Sequence, residues 1–430
     1  MSLFKGPMRQ HIEGFKGLTN KKDVLEVQPG KEVCIPLVCG AVTNIDILVK
    51  EGDHVCIGTK IAQCNEGNVV PIYASVSGTV KGTKKLMHAS LRPQEHLVIE
   101  NDGKYEKIQS FEPVDYETAD RESLIDFMMN AGIIGLGGAG FPSYVKYKFA
   151  KDVKMLIINA VECEPFITAD YRTIQENVKE FRTGVLAMRK MAMAKEVSIA
   201  IKKTHQDLID FVNEAFKNDE GVKAVGVPDV YPMGWERVLV RELLHKEYEK
   251  LPIEVGAIVN NAETAIAFGE ALLYGQAITH RILTVSGHGV KEPQNVKVPV
   301  GVAASEVVAA CGGYAFDEVK LIAGGPMMGK TIVNDQFVID RNMNALTVLG
   351  NKPYDSISCL RCGQCSDHCP AGLQPVRIAQ AVKTNDKSAM ERLCAMDCIE
   401  CGLCTYICPS RLDVTENVRK AKRQLAMAKK

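Results

Sequence analysis

Apolar positions change period along this chain, and the changes mark out its parts. Between residues 31 and 101 the stretches ILVKEGDHVCIGTKIAQ and VPIYASVSGTVKG are short β-rich runs cut by glycine turns, which predicts a small β domain. In RESLIDFMMNAGIIG the apolar residues Leu124, Ile125, Phe127, Met128 and Ile133 fall at helical spacing. VKMLIIN (153–159) is a short apolar run of strand character. Between the two lies GIIGLGGAGFPSYVK (132–146), so the predicted order is helix, glycine loop, strand. GAIVNNAETAIAFGEALLYG (256–275) predicts a strand ending in polar residues, with a helix opening at Glu263 or Thr264. From Arg281 to about Leu349 the pattern predicts a strand pair and a helix, followed by LIAGGPMMGK.

Composition narrows the function classes. At 430 residues the chain exceeds one ordinary core, so several domains are expected. Balanced charge, 52 basic against 52 acidic residues, leaves no long-range field for a phosphate backbone, and nucleic acid is not an expected partner. The opening MSLFKGPMRQ lacks the apolar stretch of a secretory signal, and no apolar run reaches the roughly 18 residues of a spanning helix. The expectation is a cytoplasmic chain, at most peripheral on the inner face of the membrane. Fifteen cysteines in that compartment point to reduced thiols serving as metal ligands, and nine of them fall between Cys359 and Cys408.

Those cysteines are ordered. CLRCGQCSDHCP (359–370) and CIECGLCTYICP (398–409) each have the spacing C-x2-C-x2-C-x3-C-P, which is similar to bacterial ferredoxins. Three close thiolates wrap one face of a [4Fe-4S] cube, and the fourth, before proline, reaches the other cube. The first cube is expected on Cys359, Cys362, Cys365 and Cys408, the second on Cys398, Cys401, Cys404 and Cys369. Structural zinc is the alternative, but zinc favours paired C-x2-C knuckles over triplets. Cys394 fits neither run and reads as a packing thiol.

Gly135, Gly137 and Gly140 spell G-x-G-x-x-G, yet a dinucleotide loop follows a strand and opens a helix, and here the strand comes afterwards. Glycines still let backbone lie close against a ring or phosphate. NAVECEPFITADYR (159–172) then places Asn159, Glu162 and Glu164 at the C-terminal end of that strand, where open α/β sheets bind ligands. A helix N-terminus near Thr264 offers a site for a single phosphate.

In order, GLGGAGFPSYVK, NAVECEPFITADYR, YPMGWERVLV and NNAETA resemble the flavin and NADH-binding core shared by the 51 kDa subunit of respiratory complex I and the RnfC subunit of the Rnf electron-transport complex. With the two-cluster module behind it, nearly the whole chain resembles the RnfC family. The resemblance implies FMN and NAD(H) together at the glycine loop. Gly135, Gly137, Gly138, Gly140 and Lys146 would line the flavin and its phosphate, Asn159 would bond the ring, Asn261 and Thr264 would hold the phosphate end, and Glu162 belongs to the same cofactor-binding set. Phe141 and Glu164 would contact the nicotinamide. Val161 stands where the complex I pattern carries an aspartate.

The implied architecture is a multidomain α/β protein. It comprises an N-terminal segment (1–30), a lipoyl-like β barrel-sandwich (31–105), the FMN/NADH-binding core (118–280), a β-grasp domain of the SLBB kind (281–350) and a 2[4Fe-4S] ferredoxin domain (352–425). The barrel-sandwich lacks a hairpin-tip lysine in CNEGNVVP, so it reads as a structural or docking module. Its opening, FKGPMRQHIEGFKGLTN, and IPLVCGAVTN depart from the family pattern, with Cys39 about where a Gln-His pair is usual. Cys34, Cys39, Cys56 and Cys64 read as core thiols, with a redox thiol the other reading of Cys39. GGPMMGKT satisfies the Walker spacing, but a domain junction is the favoured reading over an ATP loop. Three functions follow: an NADH-side subunit working with other Rnf subunits and ferredoxin, a soluble carrier feeding a dedicated reductase such as the proline reductase of anaerobes, and a non-enzymatic ferredoxin-like scaffold.

Overall fold

Four parallel strands build the central sheet, the inner ones carrying apolar side chains toward both covered faces and the edge strand Val222–Val227 left half-open. They are Met155–Ala160, Glu196–Lys202, Val222–Val227 and Ala257–Asn261, all parallel, with Met155–Ala160 flanked by Glu196–Lys202 on one side and Ala257–Asn261 on the other. The computed structural model describes residues 10–39, 45–352 and 354–428; MSLFKGPMR and residues 40–44 of IPLVCGAVTN lie outside them. The chain winds outward from the Met155 strand and later returns to its other side. That reversal makes a topological switch point between Asn159 and Asn261, which are register partners.

The helix Arg121–Asn130 precedes the glycine loop, giving helix, loop, strand. The second helix starts at Ala262, slightly ahead of the expected Glu263 or Thr264. Asn261 caps it, its side chain accepting the Glu263 N–H at 3.0 Å. Helices Val178–Ala192 and Ala262–Tyr274 pack backbone to backbone. A Cβ at Gly184 would sit 1.8 Å from the Ala265 carbonyl oxygen, and one at Gly269 would sit 1.9 Å from that of Glu180.

Antiparallel sheets of four and three strands make the barrel-sandwich. Its core is continuous with that of the β-grasp sheet, Val33, Ile35, Leu97 and Ile99 joining Leu283, Val296, Val298 and Leu346. The N-terminal segment adds a strand to the β-grasp sheet, Leu25–Glu26 pairing in parallel with Gln294–Pro299. Cys34 and Cys64 are buried as expected, whereas Cys39 and Cys56 are only half-buried. GGPMMGKT turns from strand Val319–Ala323 into the antiparallel strand Lys330–Ile332. A phosphate loop must open a helix, so the ATP reading fails. The C-terminal module packs its helices around Ile378, Met390, Val418 and Leu425. Cys394 is exposed on a left-handed turn (φ 53°), not the packing thiol expected, because the chain reverses there between two short helices.

Candidate functional site

The glycine loop closes on itself at the switch point. The Gly135 N–H donates to the Phe141 carbonyl at 2.8 Å, and the Gly140 N–H to the Gly135 carbonyl at 2.9 Å. At its exposed tip Gly138 has φ +104°, and a Cβ there would meet nothing within 4 Å. That backbone conformation belongs to glycine. Bare peptide facing open space is a cradle for a flat ring.

Around the cradle each predicted residue has a definite partner. Lys146 Nζ donates to the Val259 carbonyl at 2.6 Å; burial lowers its pKa, opposed by Glu236. Among the described residues no carboxylate pairs with that ammonium, which suits it to a phosphate. Asn159 Nδ2 donates to the Gly234 carbonyl at 2.8 Å, and Asn261 Nδ2 to Asp170 Oδ2 at 2.7 Å. Thr264 is buried and its Oγ1 accepts the Leu136 N–H at 3.0 Å, which ties the helix start to the glycine loop and leaves the hydroxyl's own hydrogen to donate. Phe141 is exposed at the loop's edge.

The two glutamates of the ECEP run part company. Glu162 accepts the N–H groups of Asp170 and Tyr171 at 2.8 and 3.3 Å, at the start of helix Ala169–Glu176. Glu164 accepts those of Met328 and Met327 at 2.8 and 3.0 Å, and so binds the GGPMMGK turn. Burial pushes both carboxyls up to about 7; Lys16 is the leading opposing influence on Glu162, and the two methionine amides on Glu164.

Sequence reading missed Lys16 and Arg281. Lys16 Nζ donates to the carbonyls of Glu162 and Glu164, both at 2.8 Å, and to that of Ile167. Burial drives its pKa down to about 8, opposed first by Glu162. Arg281, buried, pairs with Glu263 and donates to the Leu136 carbonyl at 3.2 Å, beneath the glycine loop. Lys16 reaches partners 146 to 151 residues away, and no local pattern carries such a signal.

The cysteines divide by exposure. Cys359 and Cys362 are exposed, Cys365 and Cys408 half-buried, and Cys401 buried between half-buried Cys398 and Cys404. Burial raises the Cys398, Cys401 and Cys404 thiols, and Cys369 adds to the shift in each, while Cys369 itself is raised by burial and by Cys365 of the first run. Among the described residues no three of these sulfurs lie within 4.8 Å of one another, the span of one ion's ligands. The second run docks on the sheet domain. Tyr231 Oη donates to the Cys401 carbonyl at 2.5 Å, and Ile12, Tyr231, Cys401 and Leu403 share an apolar cluster with Cys163, Met327 and Met328.

A backbone cradle that would suit a flat two-electron ring, and two cysteine runs that would suit single-electron carriers, fit the flavin and iron–sulfur electron-transfer proteins. Family comparison agrees along the chain. Residues 5–104 match the RnfC barrel sandwich hybrid domain, 128–269 the Nuo51 FMN-binding domain, 282–331 the SLBB domain and 352–409 the 4Fe-4S dicluster domain. The C subunit of the Na+-translocating ferredoxin:NAD+ oxidoreductase complex of Acetobacterium woodii is 35% identical over 391 residues, 88% of this chain and 87% of that protein. Its counterpart in the proton-translocating ferredoxin:NAD+ oxidoreductase complex of Clostridium ljungdahlii is 33% identical, covering 87% of this chain and 83% of that one. An NAD+-reducing [NiFe]-hydrogenase in its H2-reduced state shares the fold, with TM-score 0.50 at 18% identity over 74% of this chain and 64% of its own. The chain belongs to the RnfC family.

Proposed function

We propose that this chain is the NADH-side subunit of an Rnf-type ferredoxin:NAD+ oxidoreductase, an electron-transfer oxidoreductase using NAD(H), FMN and two [4Fe-4S] clusters. The observation that carries this is the docking: the second cysteine run lies against the flavin core through Cys401, Leu403 and Tyr231, while Cys359 and Cys362 face solvent. Bound FMN would take a hydride from NADH as an electron pair and release electrons singly, which is what iron–sulfur carriers accept. Gly135, Gly137, Gly138 and Gly140 present backbone to the ring, Lys146 its charge to the phosphate, and Asn159 and Asn261 line the switch point. Phe141 offers an exposed ring for the nicotinamide side. Glu162, Glu164 and Thr264 shape the pocket by holding helix Ala169–Glu176, the Met327–Met328 turn and the glycine loop. The exposed end of the ferredoxin module, with Ile357, Leu360 and Tyr406 also exposed, is the exit toward an electron-carrying partner subunit or ferredoxin. Among the described residues no helix is long and apolar enough to cross a membrane, and membrane contact is assigned to partner subunits.

A second reading, a soluble carrier feeding a dedicated reductase such as proline reductase, is favoured by Cys39, whose Sγ lies 3.6 Å from the Arg341 guanidinium at the place where the chain departs from its family. Fractionation separates the two: the Rnf subunit sediments with membranes, the soluble carrier does not.

Anaerobic mixing with NADH tests the first reading. Protein holding about eight iron per chain should bleach first in the flavin band and then in the cluster band. Gly138→Phe should lose flavin and the NADH response while keeping its iron. Full iron loading without a yellow chromophore in the unaltered protein would instead leave a ferredoxin-like scaffold.

A further inference from the structure

The barrel-sandwich carries a group of side chains that electron transfer does not use. His54 begins the short strand His54–Val55, Cys56 follows it, and Glu106 lies on the segment leaving the barrel for the flavin core. One ligand atom from each lies within 4.8 Å of the other two, bringing together an imidazole nitrogen, a thiol sulfur and a carboxylate oxygen. A tetrahedral ion with bonds of about 2.0–2.3 Å holds its ligands roughly 3.5 Å apart, so side-chain rotation of about an ångström closes the set.

The backbones beneath are fixed. The Ile57 N–H donates to the Glu106 carbonyl at 2.8 Å, the Ile108 N–H to the Ile57 carbonyl at 3.0 Å, and the Glu106 N–H to Ser77 Oγ at 3.1 Å. Asp102 stands behind the histidine. Its carboxylate meets His54 Nε2 at 3.1 Å and accepts from Ser77 Oγ and the Lys104 N–H at 2.7 and 2.9 Å. A carboxylate on one ring nitrogen fixes the tautomer that offers the other to a metal.

We propose that His54, Cys56 and Glu106 bind one zinc ion, with the fourth position open to water. A thiolate with an imidazole selects zinc over magnesium or calcium, whose ligands are oxygens. On coordination the thiol proton passes to solvent. The ion would clip the turn at Cys56 to the segment at Glu106. Ile57, Tyr105 and Lys107, beside these ligands, line a cleft of about 370 Å³ that Glu270, His280 and Lys297 close from the other side. Zinc therefore stiffens one wall of a cleft between the barrel-sandwich and the two domains it abuts.

The test uses full-length protein with its clusters in place, washed with chelator, titrated with zinc and read at the zinc K-edge. One zinc per chain should bind, with one sulfur and the remaining ligands nitrogen or oxygen. Cys56→Ser should remove the sulfur shell and weaken binding at least tenfold. Asp102→Asn, with every ligand kept, should weaken it about 10–100-fold. Unchanged cluster absorbance in both variants establishes that they fold. Failure to retain zinc, or an all-sulfur shell indifferent to Cys56→Ser, overturns the proposal.

Discussion

Glu164 shows what a residue-level reading can and cannot reach. Its place at the end of an apolar strand was legible, because strand ends in open α/β sheets face the ligand side. Its partners were not, since the Met327 and Met328 amides that it accepts belong to another domain. The same holds for Thr264, whose helix start was readable but whose bond to Leu136 depends on how the glycine loop folds over it. Glu164 also carries a pH signature. In the unfolded chain it loses its proton near the ordinary 4.5, while burial in the fold keeps the proton to about 7. Between those values the folded state binds more protons, so stability falls as pH rises from about 4.5 to 7. The thermal midpoint of the flavin core should drop by on the order of 5 °C across that window. Glu164→Gln, which cannot titrate, should reduce the decline in calorimetric scans, leaving the share of Glu162, whose carboxyl is raised into the same range. An unchanged slope would mean that the carboxyl is already ionised in the fold.

Among the elements, the apolar pattern located the helix Arg121–Asn130 and two of the four central strands, Met155–Ala160 and Ala257–Asn261, while Glu196–Lys202 and Val222–Val227 went unread. The crossing of helices Val178–Ala192 and Ala262–Tyr274 is different. Within GEALLYG, Gly269 reads only as a weak spot in an apolar helix, yet the Glu180 carbonyl occupies the place of its side chain. Gly269→Ala must push the helices apart by about an ångström, at roughly 1–3 kcal/mol for an overpacked contact. The displaced helix carries the Asn261 cap and the Thr264 hydroxyl, so the glycine loop loosens with it. Flavin affinity should fall at least tenfold by fluorescence titration, with iron content unchanged because the ferredoxin module has its own core. Unaltered flavin affinity would mean that this crossing does not set the loop's position.

At the scale of the whole molecule, the cysteine spacing announced two carriers but not their order relative to the flavin. That order depends on docking, and docking depends on segments with no motif of their own. Ile12 joins the apolar cluster at Cys401, Lys16 ties the ECEP run, and Leu25–Glu26 completes the β-grasp sheet, so one N-terminal strap touches three domains. The contact most exposed to test is Tyr231, whose hydroxyl reaches the Cys401 carbonyl in a buried setting. Tyr231→Phe leaves that carbonyl unpaired at about 1–3 kcal/mol, which loosens the Cys398–Cys404 run against the core while leaving the glycine loop alone. In anaerobic stopped-flow mixing with NADH, the flavin band should bleach at its ordinary rate and the cluster band should lag behind it by tenfold or more. Parallel slowing of both bands would place the defect in the cradle, and an unchanged cluster rate would mean that electrons leave the core by a face other than the one Tyr231 holds.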